Sequence, residues 1–188
     1  QNGYPVTVYE ALPIAGGMMV VGIPEYRLPR AILNQEIDNI RRAGVEILCN
    51  RALGRDFTLD ELFDRQGVKA VVLAIGAHRS LHLGIPGEDR AGVIPGIDFL
   101  RKVALGNPPD IRGKRVAVIG GGNVAVDAAR TAWRLGAAEV HIVYRRTRAD
   151  MPAYPEEIEA AHEEGAVFHF LAAPLRVLGP ATVTALEI

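Results

Sequence analysis

The sequence predicts an α/β protein with parallel strands, and three observations support that prediction. Short apolar strand patterns alternate with amphipathic helix patterns along the 188 residues, and in such an order the helices serve as crossovers between parallel strands. Two of the strand patterns, residues 6–9 and 140–144, end in a tyrosine followed by charged residues. A glycine-rich turn at 120–125 leads from a strand pattern directly into a helix pattern.

Composition and charge are those of an ordinary globular protein. Hydrophobic residues make up 49% of the chain and charged residues 23%, with a formal net charge of -1. Because no basic patch dominates, nucleic acid is not expected as the main partner. The longest apolar runs, such as residues 70–75, are too short to cross a bilayer, so we expect no membrane span and a cytoplasmic location.

In the first half, prolines, glycines and a capping pair mark where helices begin and end. Pro29 suits a first helical turn, Gly44 suits the end of that helix, and Thr58 with Glu61 forms a capping box for the next helix. Residues 70–75 are apolar at every position, which is typical of a buried parallel strand. The predicted elements are strands at 6–9, 45–49 and 70–75, an apolar glycine-rich loop at 16–22, and helices after Pro29 and Thr58.

The second half repeats this alternation after a linker at 107–110, where two prolines disfavour a helix. Gly136 and Gly165 are placed to end two of its helices. The predicted elements are helices at 97–105, 126–135 and 155–164, and strands at 115–119, 140–144, 167–171, 175–178 and 183–188. This order predicts a parallel sheet covered by helices.

The turn after the strand at 115–119 has the spacing of a phosphate-binding loop. Gly120 would permit the tight turn, Gly122 would let a pyrophosphate approach the backbone, and Ala125 would let the helix pack close to the strand. The free amides and the positive end of the helix would attract phosphate groups. The alternative is a glycine-rich turn from strand to helix that binds no ligand.

The charges after the two tyrosine-ended strands predict which sugars they meet. In a dinucleotide-binding βαβ unit, an acid at the tip of the second strand hydrogen-bonds a free ribose 2′-hydroxyl, whereas an arginine there accommodates a 2′-phosphate. Arg145 lies about 20 residues after Ala125, so the second half is predicted to bind NADP, with Arg146 adding charge. Glu10 is then the acid of a first unit whose ligand has a free ribose hydroxyl. In both cases the alternative is a solvated charge at a strand end.

Several segments together resemble the NADPH-dependent glutamate synthase small (β) subunit family. A similar module occurs in dihydropyrimidine dehydrogenase and in several NAD(P)-dependent ferredoxin oxidoreductase subunits. The resemblance covers essentially the whole chain, and its most specific part is the Ile-Pro-x-x-Arg-Leu-Pro segment at 23–29. The matching segments are 16–18, 22–29, 74–77, 85–89, 118–127, 143–146, 151–152 and 156–157.

The resemblance implies two Rossmann-like, three-layer dinucleotide-binding domains, with an NADP domain inserted into an FAD domain. Residues 1–106 would be a partial FAD-binding domain with a linker, and its first phosphate loop is expected before residue 1. Residues 107–188 would be the NADP-binding domain, and the return of the chain to the FAD domain is expected after residue 188. FAD and NADPH are the implied cofactors.

The resemblance also implies roles for individual residues. No catalytic side chain is expected, because the protein's part is to orient the cofactors, and no metal ligand is expected, because the five histidines form no metal-binding motif. Glu10 would bind the adenosine ribose of FAD, Arg27 would contact FAD, and Leu53 would lie near the adenine. Gly16, Gly17 and Met18 would line the flavin side. The pyrophosphate of NADP would be held by Gly121, Gly122, Asn123 and Val124, in the cofactor-binding loop whose tight turn Gly120 permits. Arg145 and Arg146 would bind its 2′-phosphate. Some relatives carry a further arginine where Pro152 stands here, and Arg148 is the nearest substitute.

The absence of cysteine from residues 18–24 bears on the chemistry. Some flavin disulfide reductases, which the chain resembles more distantly, carry a redox cysteine pair there, and the only cysteine of this chain is Cys49. With no thiolate beside the flavin, electrons are expected to pass from NADPH to FAD and then to iron–sulfur centres. The resemblance places those centres outside this fragment, in an iron–sulfur protein or a large catalytic subunit. The fragment alone is expected to be inactive. The alternative function is a non-catalytic NADP-binding module.

Overall fold

The computed structural model describes residues 3–188, and the chain divides into two compact units, Gln1–His78 and Arg79–Ile188. The predicted division into domains at residues 1–106 and 107–188 stays a prediction. Residues 79–106 belong to the same compact unit as the glycine-rich turn. Within residues 3–188 no helix is long and apolar enough to cross a membrane.

The first unit is built around two parallel strands and two packed helices. Its elements are β1 (Thr7–Tyr9), α1 (Gly17–Val21), α2 (Arg30–Arg42), β2 (Glu46–Leu48) and a short π-helix (Glu61–Arg65). Strand β1 pairs with β2 in parallel, with Val8 opposite Ile47. The unit buries Val20 and Val21 of α1 and Leu33 and Ile37 of α2.

Two predictions for this unit are wrong. The glycine-rich segment at 16–22 is not a loop, because residues 17–21 form α1, which starts after Gly16 in a left-handed conformation. The apolar run at 70–75 forms no strand, and the exposed fractions of Val72 and Ile75 are 88% and 73%. An apolar run indicates a tendency to be buried, but a strand also needs a partner strand, and residues 70–75 pair with no strand among residues 3–188.

Other local predictions for the first unit are confirmed. Gly44 follows the end of α2 with a positive φ of 91°, and its amide donates to the carbonyl of Arg41 at 2.9 Å. Thr58 and Glu61 form the capping box: the amide of Thr58 donates to the Glu61 carboxylate at 2.9 Å, and the amide of Glu61 donates to the Thr58 hydroxyl at 3.2 Å. These ends are fixed by local hydrogen bonds, so the local sequence suffices to predict them.

The second unit contains a three-stranded parallel sheet in the order β3-β4-β5 and an antiparallel hairpin of β6 and β7. The parallel α/β fold is thus confirmed. The helices are α3 (Gly96–Ala104), α4 (Asn123–Arg134) and α5 (Pro155–Glu163), with a 3-10 turn at Arg148–Asp150. The strands are β3 (Arg115–Ile119), β4 (Glu139–Tyr144), β5 (Val167–Phe170), β6 (Arg176–Leu178) and β7 (Ala185–Glu187).

Helices α4 and α5 share a core with the sheet and are also joined by charged groups. Val126, Ile142 and Ala161 are fully buried members of this core. The guanidinium of Arg130 pairs with the carboxylates of Glu157 and Glu164, the latter at 2.7 Å. Burial opposes ionisation of Glu164, but hydrogen bonds from Arg130 and from Arg134 outweigh it and lower the pKa of the Glu164 carboxyl to about 2. The sheet and the helices that carry the glycine-rich turn are therefore stabilised by apolar packing and by ion pairs.

Candidate dinucleotide-binding site

The glycine-rich turn leaves the carboxyl end of β3 and enters α4 within three residues. Gly120 has φ of 131°, a conformation that favours glycine, and its amide donates to the carbonyl of Val143 on β4 at 3.0 Å. Gly122 is the N-cap of α4 with an extended backbone, φ of -88° and ψ of 172°. The predicted arrangement of strand, tight turn and helix is therefore present at these residues.

The space around the three glycines of the turn differs from one position to the next. A Cβ on Gly120 would lie 3.3 Å from the Cβ of Ala125, and a Cβ on Gly121 would lie 2.6–2.8 Å from ring atoms of Tyr144. A Cβ on Gly122 would meet no atom closer than Cγ of Pro152 at 4.0 Å. Packing within the protein thus requires glycine at 120 and 121 but not at 122, where the free space fits close approach of a phosphate to the backbone.

The first turn of α4 offers donors to such a phosphate. The amides of Ala125 and Val126 both donate to the carbonyl of Gly122, at 3.0 and 3.2 Å. The amides of Asn123 and Val124 lie at the first two helical positions, which have no acceptor within the helix. Val124 is 39% exposed. Free amides and the positive end of a 12-residue helix make this turn suitable for an anion.

The connection from β4 to α5 folds back onto the turn. The Tyr144 hydroxyl donates to the carbonyl of Asp150 at 2.8 Å. The ring of the same tyrosine packs against Gly121. The amide of Ala153 donates to the carbonyl of Gly121 at 3.2 Å, and the amide of Tyr154 donates to Oδ1 of Asn123 at 3.1 Å. These bonds fix the turn relative to the chain that follows Arg145 and Arg146.

Sequence reasoning missed the supporting roles of Tyr144 and Tyr154. The position of Tyr144 at the tip of its strand was the available signal, but its ring contact with Gly121 joins residues far apart in the sequence and cannot be predicted from local spacing. Asn123 likewise has a structural partner, the Tyr154 amide, besides its predicted place in the phosphate loop.

Arg145 and Arg146 follow the last residue of β4, at the same edge of the sheet as the end of β3. Both are exposed, and within residues 3–188 neither forms a hydrogen bond or salt bridge through its guanidinium. Arg148, the substitute considered above, instead pairs with Glu159. The carboxylate of Asp150, which accepts from the Thr147 hydroxyl and amide, also interacts with the charge of Arg146. Among residues 3–188, however, no ion pair holds either guanidinium beside this phosphate-type turn.

The acid of the first unit occupies the corresponding strand tip. Glu10 directly follows β1 and is half-buried. One carboxylate oxygen, Oε1, accepts the amide of Leu12 at 2.8 Å, and the Glu10 amide donates to the carbonyl of Leu48 at 2.9 Å. The side chain is thus oriented by one bond while its second oxygen has no partner among residues 3–188.

The other candidates of the first unit lie on α1, in the turn that follows it, and in a later loop. Gly16 is packed, since a Cβ there would lie 2.4 Å from the Val20 side chain, whereas a Cβ on Gly17 would meet nothing within 4 Å. The half-buried Met18 follows in α1. Arg27 lies in a turn closed by its amide, which donates to the carbonyl of Pro24 at 3.0 Å. Leu53 is exposed, in an isolated bridge with Phe57.

Two histidines that the sequence separates by 28 residues meet on β4 and β5. Nδ1 of His141 lies 3.0 Å from Nε2 of His169, and Nε2 of His141 lies 3.1 Å from the Glu139 carboxylate. Within residues 3–188 no group of three or more histidine, cysteine, aspartate or glutamate side chains could hold a metal ion.

A sequence profile of the family "Pyridine nucleotide-disulphide oxidoreductase" matches residues 1–169. The chain belongs to this family. The match spans both units and includes the turn at 120–125 and both charged strand tips. The family name refers to disulphides, but α1 of this chain contains Met18 and Met19 and no cysteine.

Curated relatives share more than the family profile. NADP(+)-dependent formate dehydrogenase subunit beta of Moorella thermoacetica is 52% identical over 175 residues, which cover 92% of this chain and 24% of that protein. A putative glutamate synthase (NADPH) small chain of Cereibacter sphaeroides is 37% identical over 180 residues, covering 92% of this chain and 43% of that protein. The resemblance to glutamate synthase small subunits is confirmed, and the chain spans less than half the length of either relative.

A solved structure supports the fold. FprA of Mycobacterium tuberculosis in complex with NADPH superimposes with a TM-score of 0.79 at 23% identity, and the match covers 95% of this chain and 55% of that chain. At this identity the likeness shows a common α/β fold and nothing about ligands.

Proposed function

We propose that this chain is part of a flavin-dependent NADPH oxidoreductase, in which residues 107–188 lie within an NADP-binding Rossmann-like domain, residues 79–106 belong to the same compact unit, and residues 1–78 are part of an FAD-binding domain. One observation carries the proposal: the turn at 120–125 and the Arg145 and Arg146 guanidinium groups, which no other group of residues 3–188 binds, lie at the same edge of a parallel sheet. A pyrophosphate and a 2′-phosphate of one dinucleotide would need those two features on adjacent strands.

In this proposal the chain binds and orients NADPH and does no acid–base chemistry. The amides of Gly121, Gly122, Asn123 and Val124 hold the pyrophosphate, and Gly120 permits the turn. The guanidinium groups of Arg145 and Arg146 hold the 2′-phosphate. A charge-assisted contact of this kind contributes about 1.5–3 kcal/mol, or roughly tenfold to a hundredfold preference for NADPH over NADH.

The first unit would hold FAD through complementary features. Glu10 presents one unpartnered carboxylate oxygen to a ribose hydroxyl, and the open space over Gly17 admits a flat ring against α1. Arg27 and Leu53 would contact FAD and its adenine. FAD, when bound, supplies an acceptor for two electrons that can be released one at a time; the residues named here bind and orient it.

The electrons would then leave for iron–sulfur centres outside residues 1–188, in a partner or elsewhere in the polypeptide. The absence of cysteine from α1 and from residues 22–24 supports this route over disulfide reduction, because a thiolate is needed to attack or reform a disulfide. The names of the relatives, a formate dehydrogenase subunit and a glutamate synthase small chain, support an assembly with a larger catalytic subunit.

The test uses the full-length protein purified with FAD. We expect a yellow protein whose flavin absorbance is bleached by NADPH, more slowly by NADH, under anaerobic conditions. A full-length protein that binds NADPH but holds no flavin would contradict the proposal and would favour a non-catalytic NADP-binding module. A matched control is boiled protein with the same free FAD, which excludes reduction in solution.

A further inference from the structure

One side chain of the first unit, Arg30, makes four hydrogen bonds to backbone carbonyls. Its Nη2 donates to the carbonyls of Val20 at 2.6 Å and Ile23 at 2.7 Å. Its Nη1 donates to the carbonyls of Met19 at 3.1 Å and Leu28 at 3.3 Å. The four N–H groups of the two Nη atoms are thereby matched to four acceptors, and the planar fork fixes the distance between those acceptors.

The acceptors belong to two pieces of chain that the arginine joins. Met19 and Val20 are in the last turn of α1, whose carbonyls have no partner within the helix. Ile23 and Leu28 bracket the segment that carries Arg27. Arg30 therefore ties the end of α1 to both sides of that segment.

The position of Arg30 breaks a local rule, which indicates a specific role. It is the first residue of α2, where the helix dipole is positive and a cation is unfavourable. The negative carboxyl end of α1 offsets this cost, since that is where its guanidinium binds. A residue that opposes its own helix and satisfies another element is expected at a functional or strained site.

The two joined pieces are those that the proposed function assigns to the flavin. Gly17 and Met18 lie on α1, and Arg27 lies in the tied segment. Arg30 itself directs its guanidinium to backbone oxygens, so it has no free Nη–H group for a ligand. We infer that Arg30 is a positioning residue that sets the spacing between α1 and the Arg27 segment and so pre-forms the flavin-side wall of the FAD site.

This inference rests on the proposed FAD site and is tested in the full-length flavoprotein. In Arg30→Gln, a single amide group replaces the guanidinium and cannot bind all four carbonyls. The fraction of molecules in which α1 and the Arg27 segment have the spacing for FAD therefore falls. The apparent affinity for FAD falls with that fraction, and we expect the Kd for FAD to rise about tenfold. The visible circular dichroism of the remaining bound flavin should change, and its reduction potential should shift, because the ring no longer meets a fixed wall.

Matched variants and readouts separate positioning from general damage. Arg41→Gln removes a cation from the same helix, at a surface pair with Asp38, and should leave the FAD affinity and flavin spectrum as in the wild type. The Kd for NADPH should stay within about twofold in Arg30→Gln, because the NADPH residues lie in the other unit. Arg30→Lys keeps the charge but donates from one point, so it should recover FAD affinity only in part.

The outcomes are distinct. A wild-type protein that binds no FAD would overturn the proposed function itself. If the wild type binds FAD and Arg30→Gln has an unchanged Kd and flavin spectrum, the positioning role is wrong while the proposed function stands. If Arg30→Gln does not fold, Arg30→Lys decides: an altered flavin spectrum in the folded variant supports the role, and a wild-type spectrum and Kd contradict it.

Discussion

The tips of β1 and β4 have the same backbone setting and opposite charges. Each strand ends in a tyrosine in a parallel pair, and the next residue is Glu10 in one case and Arg145 in the other. Glu10 is half-buried and oriented by the Leu12 amide, whereas Arg145 and Arg146 are exposed and unpaired within residues 3–188. Under the proposed function, the sign of the charge at this one position would decide which of two dinucleotides each strand end binds.

The largest expected effect comes from reversing the charge at the second tip. The Arg145→Glu/Arg146→Glu double variant should raise the Kd for NADPH by at least about a hundredfold, because two charge-assisted contacts are replaced by repulsion. The Kd for NADH should change less than about threefold. Titration calorimetry measures both. Arg115→Glu, at the opposite end of the sheet on β3, is the control, and equal losses for both nucleotides would refute the assignment.

Neutralising the first tip should have the complementary effect. Glu10→Gln removes the charge of the acceptor proposed for the FAD ribose and should weaken FAD binding about tenfold in the full-length protein, with NADPH affinity unchanged. Flavin retained after gel filtration and the Kd from fluorescence quenching report the change. Glu36→Gln on the exposed side of α2 is the matched control. A loss of NADPH affinity in Glu10→Gln would contradict the assignment of the two strand ends to different dinucleotides.

Two glycine variants in the turn at 120–125 test whether each glycine serves ligand binding or packing. Gly122→Ala places a methyl group whose nearest neighbour outside the adjoining backbone, among residues 3–188, is Cγ of Pro152 at 4.0 Å. The free energy of unfolding should therefore stay within about 0.5 kcal/mol, while NADPH affinity falls about tenfold. Gly121→Ala places its methyl group against the Tyr144 ring and should destabilise the unit by about 1–3 kcal/mol.

Denaturant titrations and nucleotide titrations of both glycine variants distinguish a ligand role from a packing role. If Gly122→Ala binds NADPH as well as the wild type, the open space over that residue is not a phosphate site. If Gly121→Ala has wild-type stability, the ring contact does not constrain the turn.

The smallest expected effect concerns the ion pairs between Glu164 and the arginines of α4 in the second unit. The pKa of Glu164 is lowered to about 2 in the folded protein, so the contribution of its ion pairs is fully present above its usual pKa and is lost as the pH falls toward 2. Glu164→Gln should lower the free energy of unfolding at pH 7 by about 1 kcal/mol and flatten its dependence on pH between about 5 and 2. Urea titrations across that range measure it. A variant with the same slope as the wild type would show that Glu164 does not carry the acid sensitivity.

Much of the second unit could be predicted from the sequence, because its signals are local. The spacing of Gly120, Gly122 and Ala125 depends on a single turn, and Gly136 and Gly165 follow helices that end where expected, with φ of 90° and 99°. The support of the turn by Tyr144 and the β4–α5 connection could not be predicted, because it joins residues through tertiary contacts.

The errors in the first unit have a common cause. Residues 70–75 have the composition of a buried strand, but composition does not specify the partner that a strand requires, and these residues pair with no strand among residues 3–188. Residues 16–22 were expected to be a loop because glycine disfavours helices; the positive φ of Gly16 instead starts α1, and its lack of a side chain admits Val20 and α2. Arg30 shows the same limit, since its four acceptors, on α1 and in the segment before α2, come together only when these pieces of chain pack.

The most direct test of the central claim is a crystal structure of the full-length protein with NADP bound. The account predicts the 2′-phosphate within hydrogen-bonding distance of the Arg145 and Arg146 guanidinium groups, with the pyrophosphate on the amides that open α4. An adenosine end bound away from the tip of β4, with Arg145 in solvent, would contradict it.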